Sequence, residues 1–436
     1  MRAIFRVLAG YRDLRLVLSA GLISMTGDWI LRVGLVYRVY ALTGSTVASA
    51  LTMASSFVPQ VLLGALAGVF ADRWDRRRTM IAANLLLAAG LLPLLLVRGA
   101  GQVWIVFAVL LFESIVQQFF SPAEQALLPR LVPDDQLISA NAVSGQAQNL
   151  ARLTGSGLGG VIAAAGGIAA VAVADAASFV ISAALIALVA VSGRPEAGPR
   201  APASLRHRVA VPRGELADGL RWSARHRVVR ALMIFILVTS IGEGIMSTLF
   251  APYVRHVLHG SSQAYGLIAA VQAIGGIAGG VIAASAGRRV SASQLLGWGA
   301  VAFGAVDLGI FLYPLGYLAV WPAAVGMVIV GVPGALTIAG AMTLFQRSTD
   351  DGLRGRVFGA LGAVEGIAVL AGTLCAGFLG QAVGIIPVLA VQGGGYVVAG
   401  FAMLIVLRAE RSQPAGAAAP AGARKMRVID VPEGRM

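Results

Sequence analysis

Several ionisable side chains stand in the middle of long apolar stretches, where a charge is costly and therefore informative. Asp28 and Arg32 lie four residues apart, on one face of a helix, the spacing at which an acid and a base can pair. Glu243 occupies an equivalent place later in the chain, with Ser247 rather than an arginine at the fourth position. A buried carboxylate without a local cation is suited to taking up and releasing a proton. Arg152 is a candidate partner in trans for Glu243 or Glu113. Glu113 is followed one turn on by Gln117 and Gln118, a polar strip that fits a cavity wall or a hydrogen-bonded clamp between helices. Each mid-span charge costs about 2.5–3.5 kcal/mol on insertion scales, so such groups have partners or jobs. The order of candidates for a proton-coupling acid is Glu243, Asp28, Glu113 and Glu365, with Gln117 and Asn149 as cavity residues. Asp307 reads as solvated or structural. Asp175, placed near the outer end of its span, reads as packing or outer gating.

These groups must be carried by membrane helices. Of the 436 residues 58% are hydrophobic and only 12% charged, with a mean hydropathy of +0.82. Soluble domains carry about 25% charged residues. Runs of about 20 apolar residues give twelve expected spans, six on each side of a polar gap, and the fifth and sixth are nearly continuous. The expected organisation is an N-terminal segment 1–14, a six-helix bundle 15–191, a linker 192–228, a second bundle 229–408 and a disordered tail 409–436. Within the linker, Leu216, Leu220 and Trp222 alternate with arginines, as in an amphipathic helix lying on the membrane or in an ordinary charged connector. The first span reads as a membrane helix, not a cleaved leader. Of the 34 Lys and Arg residues, all but Arg32, Arg38, Arg98, Arg152 and Arg255 fall on one side of this topology. Both termini are therefore expected in the cytoplasm of a multi-pass protein of the plasma membrane.

The two halves look like copies. Gly27-Asp28 and Gly44-Ser45 match Gly242-Glu243 and Gly260-Ser261, while Asp134-Asp135 before span five matches Asp350-Asp351 before span eleven. Glu365 corresponds by the same alignment to Asn149. Between spans two and three, Gly64 and Gly68 precede Asp72, Arg73, Arg76, Arg77 and Arg78, a short basic hairpin. The second copy keeps Gly276, Gly280, Arg288 and Arg289 but has Ala284 in place of Asp72. Packing and orienting residues are duplicated and the acid is not, so Gly68, Asp72, Arg73, Arg76 and Arg77 are read as an asymmetric cytoplasmic gate. Two repeats related by an axis along the membrane normal are a transporter architecture with its site between the halves.

At this point the chain resembles the major facilitator superfamily. Gly68-x-x-x-Asp72-Arg73-x-x-Arg76-Arg77 resembles its loop signature between helices two and three, with Asp75 where a glycine is usual. Gly27-Asp28-x-x-x-Arg32, Leu128 to Pro133, Asp175 to Phe179 and Arg354-x-Arg356-x-Phe358-Gly359 resemble the efflux-type branch that holds macrolide and enterobactin exporters. The antiporter signature of helix five is similar to Gly155-Ser156-x-x-Gly159-Gly160, with serine replacing its proline. The resemblance implies an all-α membrane protein of twelve helices in two pseudo-twofold-related bundles, working as a monomer. It also implies a secondary transporter that exports hydrophobic or amphipathic small molecules against protons. An importer or facilitator of a metabolite is the alternative, and a membrane enzyme or receptor the alternative of another class.

No enzyme is expected, because the acids are dispersed and no nucleophile and base cluster with them. There is no phosphate-binding Gly-x-x-x-x-Gly-Lys loop, and the single cysteine, Cys375, and four histidines form no ligand pattern. No cofactor or metal is expected. The net charge of +14 orients helices and does not mark a nucleic-acid groove. The expected partners are a small-molecule substrate, protons and the lipid bilayer.

Overall fold

The computed structural model describes residues 10–71, 75–133, 136–191, 221–286, 290–349 and 354–411. Helices account for its regular structure among these residues: α1 (Arg12–Thr43), α2 (Thr46–Ala71), α3 (Arg76–Leu91) and α4 (Val103–Leu127). A run from Leu137 to Ala187 then breaks at Gly167, where φ is 64° and ψ −149°, into α5 (137–166) and α6 (168–187). Only glycine adopts such a backbone readily, and a Cβ there would lie 2.6 Å from Arg38 Nη2. One residue thus reverses the chain, which explains why spans five and six run together in sequence. After the linker come α7 (Arg227–Pro252), α8 (Ser262–Ala286), α9 (Ala292–Leu312), α10 (Trp321–Arg347), α11 (Arg354–Ala382) and α12 (Ile385–Arg411).

What these helices expose identifies their solvent. Val281, Val398 and Ile405 are 68–70% exposed, on a surface dense in leucine, valine and isoleucine. Such a surface is unfavourable in water and correct in lipid. Trp104, Tyr317 and Trp321 stand exposed where α4 and α10 begin, an interfacial aromatic belt at the end away from the chain termini.

Inside each half the packing follows one scheme. α1 lies along α5 and α6, as α7 lies along α11 and α12; α2 pairs with α4, as α8 pairs with α10. The halves meet along α2–α11 and α5–α8, which are equivalent contacts under the repeat. One hydrophobic cluster belongs to the first half alone. Another joins Val33, Val36, Tyr37 and Met53 to Leu249, Phe250, Tyr253 and Ile268 of the second half. That shared cluster seals the end of the bundle away from the termini. The linker residues 192–220 and the tail from 412 lie outside the described residues, as do Leu216 and Leu220. Trp222 stacks on His226 at 3.7 Å and packs against the α7 cluster, so this part of the linker is docked on protein.

Candidate functional site

In the first half, α1, α2 and α4 enclose a cavity of about 230 Å³ lined by Asp28, Arg32, Thr52, Glu113 and Gln117. Its wall is held by Ser114, whose hydroxyl donates to Ser56 O at 2.6 Å, and by Gln118 Nε2, which donates to Ser114 O at 3.1 Å. Gln118 therefore spends its amide on the helix, while Gln117 lines the space. Asp28 and Glu113 are both half-buried, and Asp28 Oδ1 and Glu113 Oε2 are buried with no hydrogen-bond partner. Arg32 acts electrostatically on both acids. Its guanidinium, however, lies 5.1 Å from the Trp29 ring centroid, a cation–π contact that competes with a fixed pair to Asp28.

Two further acids approach this cavity. Asp175 is wholly buried and packs against Gly27, next to Asp28 and in the middle of α1, not at an outer end. Ser178 Oγ donates to Asp175 Oδ1 at 3.0 Å, while Asp175 Oδ2 stays unpartnered. Packing, one of the two readings of Asp175, is what the geometry displays. Glu124, absent from the sequence candidates, faces Gly21 of α1, where a Cβ would lie 3.2 Å from its Oε1. The signal for it was present: Glu113, Gln117, Ser121 and Glu124 follow helical spacing along one face of α4.

The second group borders the space between the halves. Glu243 on α7 and Glu365 on α11 are solvent-exposed, and Asn149 on α5 is exposed one turn before half-buried Arg152. Arg152 and Glu365 both act electrostatically on Glu243. Of the two partners expected for Arg152, Glu243 is thus the one it senses, and that interaction crosses from one half to the other. Arg152 Nη2 also lies 3.8 Å from where a Cβ on Gly276 of α8 would stand. Asp307 is buried and accepts a hydrogen bond from Gln392 Nε2 at 2.7 Å. It joins α9 to α12 and is not solvated.

Helix α5 has two small-residue faces. A Cβ on Gly155 would lie 2.5 Å from Thr26 O, and one on Gly159 would lie 2.8 Å from Ile30 O, so these two admit the α1 backbone. Gly160 meets Gly266 of α8, whose own Cβ position is 2.6 Å from Ser156 O and 2.8 Å from Gly160 Cα. The same motif therefore fixes α1 within a half and carries contact between halves, the close approach that small residues permit.

Of the basic hairpin, Asp72 and Arg73 lie outside the described residues, and Gly68 falls within α2 near its end. Asp75 caps α3 by accepting from Arg78 N at 3.0 Å. Arg77 does not reach across the halves: its Nε donates to Ile186 O at 3.2 Å and its Nη2 to Ala187 O. A cation on the last carbonyls of α6 offsets the negative helix end. Asp13 of α1 completes the arrangement, accepting from Ala190 N at 3.0 Å and Val191 N at 2.9 Å. Arg77 thus belongs to the frame of its own half, alongside Asp13, which no local pattern marks.

At the opposite end, side chains bind the halves directly. Tyr37 Oη donates to Gly260 O at 2.7 Å and Thr46 Oγ1 to Gly377 O at 2.7 Å. The Tyr37 ring stacks on Tyr265 at 5.9 Å, and Phe250 and Tyr253 extend the aromatic layer.

Comparison with known proteins places this geometry. The family model described as transmembrane secretion effector, within the major facilitator superfamily, matches residues 10–422. The chain is 27% identical over 385 residues to the multidrug efflux pump Tap of Mycobacterium tuberculosis, covering 85% of this chain and 87% of Tap. It is 28% identical over 180 residues to macrolide efflux protein A of Streptococcus pyogenes, covering 41% and 44% of the two chains. Among solved structures it is similar to the nucleoside transporter NupG, with a TM-score of 0.73 at 14% identity, covering 91% of this chain and 99% of that one. The packed helical scaffold, twelve helices among the described residues, agrees with these matches, and the chain belongs to the transmembrane secretion effector family of major facilitator transporters.

Proposed function

We propose that the protein exports hydrophobic or amphipathic small molecules across the plasma membrane, driven by protons, through alternating access of its two halves. The observation that carries this reading is the juxtaposition of Asp28 and Glu113 on one cavity, each with a buried oxygen that has no hydrogen-bond partner. Buried unpaired charge is expensive, and a proton taken up by either acid removes one of two like charges from the cavity. Glu243 and Arg152 then link charge to motion, because they sit on opposite halves and attract one another. Neutralising Glu243 weakens that attraction and favours separation of the halves at this depth. Glu365 shares the same space and is a second-rank acid in this scheme. Efflux as the direction is supported by the efflux activities named for Tap and macrolide efflux protein A. Charge asymmetry supports cytoplasmic termini, and the mechanism needs no more than one chain.

The test is flux in vesicles reconstituted with purified protein, using a macrolide and a lipophilic cationic dye as probes. An imposed pH gradient is expected to drive accumulation, and Asp28→Asn or Glu113→Gln to abolish it while gradient-free exchange persists. Exchange without any response to the gradient in the unaltered protein would leave a facilitator and sink proton coupling. Unchanged gradient-driven flux in either variant would clear that residue.

A further inference from the structure

A larger cavity, of about 730 Å³, opens between the halves at the end of the bundle away from the chain termini. This volume lies in the range of small-molecule sites, about 300–1,000 Å³. The first half contributes the turn between α1 and α2, and the second half the α7–α8 and α11–α12 connections. Three basic-type side chains face it, Arg255, His256 and His259, all exposed, and no Asp or Glu is among its described lining residues. Arg255 is also one of the few basic residues at an end that the charge asymmetry otherwise leaves almost bare. The N-terminal end of α12, at Ile385, adds the positive pole of a long helix to the same wall. Gln381 and Thr46 add uncharged polar groups, and the rest of the lining is glycine and apolar side chains, with Tyr40 and Pro387 on opposite halves.

The segment that presents the basic groups is shaped and fixed. Tyr253–Val257 is a π-helical turn, a form that is rare and concentrated at functional sites. His259, at φ 51°, is the one non-glycine residue with positive φ among those described. Leu258 N donates to Tyr253 O at 3.0 Å and Gly260 N to Val254 O at 2.7 Å, so the turn is bonded through its own backbone. Gly260 O receives the Tyr37 hydroxyl from the other half. A backbone held in a costly conformation, presenting an arginine and two imidazoles to a space whose described lining holds no acid, is built for a negative ligand.

We propose that this cavity binds an organic anion, a phosphate or carboxylate head on an apolar body, clasped by Arg255, His256 and His259 and touching both halves. It is separate from the Asp28–Glu113 cavity and stands whether or not transport is coupled to protons. Because both halves line it, an occupant bridges them in the arrangement where this end is closed.

The test titrates the full-length protein, in an uncharged maltoside detergent, with monododecyl phosphate by isothermal calorimetry. One saturable site is expected, weakened about tenfold or more by Arg255→Gln, the scale of losing a charge-assisted hydrogen bond. Arg255→Lys is expected to retain most of the affinity. His259→Asn, which tolerates the left-handed backbone, is expected to lose several-fold and serves if Arg255→Gln does not fold. Competition by inorganic phosphate would identify a soluble anion as the source. Displacement by phosphatidylglycerol vesicles, but not by inorganic phosphate or phosphatidylcholine vesicles, would identify a lipid headgroup; either result upholds the anion site. Absence of binding, equal affinity in Arg255→Gln and His259→Asn, or equal binding of dodecyltrimethylammonium would overturn it.

Discussion

Removing the Tyr37 hydroxyl tests how the halves are held together. Tyr37→Phe deletes the 2.7 Å bond to Gly260 O and leaves the ring in place to stack on Tyr265. One such bond contributes about 0.5–1.5 kcal/mol net, and it exists only while this end is closed. The closed arrangement should therefore lose roughly 2- to 13-fold in population relative to the open one. Thr46→Val removes the second bond of this kind, to Gly377 O at 2.7 Å, with little change of shape. If the two act independently the free energies add, giving about 1–3 kcal/mol and roughly a 5- to 160-fold shift. Spin labels at Leu42 and Val383, exposed positions on opposite halves near this end, report the separation as a distance distribution by double electron–electron resonance. A longer-distance population should grow from wild type to either single variant and further in the double variant, with the thermal midpoint nearly unchanged because each half keeps its own core. Superimposable distributions in wild type and double variant would refute the reasoning. So would a fall in thermal midpoint that accounts for the whole change.

Four further substitutions separate frame from moving parts. Gly160→Ala places a methyl against Gly266 Cα at 3.0 Å, backbone that cannot give way; overpacking of about 1–3 kcal/mol falls on the contact between halves, so vesicle flux should drop at least about fivefold with an unchanged thermal midpoint. Gly155→Ala strikes Thr26 O within the first half and should lower the thermal midpoint by several degrees; the reverse pattern would sink this division of α5. Asp13→Asn removes the carboxylate that holds Ala190 N and Val191 N and should cost about 0.5–2 kcal/mol, read by thermal unfolding in detergent, while flux per folded molecule stays constant. Asp307→Asn keeps an acceptor for Gln392 and should leave gradient-driven flux intact; a loss as large as that expected for Glu113→Gln would move proton coupling to α9.

Helices were legible because each span is a long apolar run, and even the α5–α6 reversal left a trace in the glycines at 166 and 167. The acids were legible for the same reason, since a lone charge stands out against leucine and alanine. What escaped is contact over distance in sequence. Tyr37 and Gly260 are 223 residues apart, and Asp13 and Ala190 are 177 apart, with nothing local to mark either pair. The fixed Asp28–Arg32 pair rested on helical spacing, which brings two side chains to one face but does not choose between a carboxylate and the Trp29 ring. Depth along a span misled in another way: Asp175 counts as near one end of its helix, yet it packs at the middle of α1 because α6 begins abruptly at Gly167. Glu124 was missed by ending the polar strip of α4 nearly two turns early.

In the proposed mechanism, helix α5 is the element that joins proton uptake to motion. Gly155 and Gly159 seat it on the backbone of α1 at Thr26 and Ile30, the turn that bears Asp28. α1 and α5 also share the buried cluster of the first half, Ile30, Leu31 and Leu35 with Ala140 and Ala163, so the two move as one body. One residue further round, Ser156 and Gly160 meet α8, again backbone to backbone. A contact without interdigitating side chains has no ridges to disengage, which suits it to roll while the α1 contact stays rigid. Arg152 lies one turn before Ser156 and senses Glu243 on the far side. Arg152 and the α8 contact thus lie on α5, and Asp28 lies on α1, the helix packed against it. In the proposed mechanism, a proton taken up beside Asp28 therefore acts on the same body whose position sets how the halves meet.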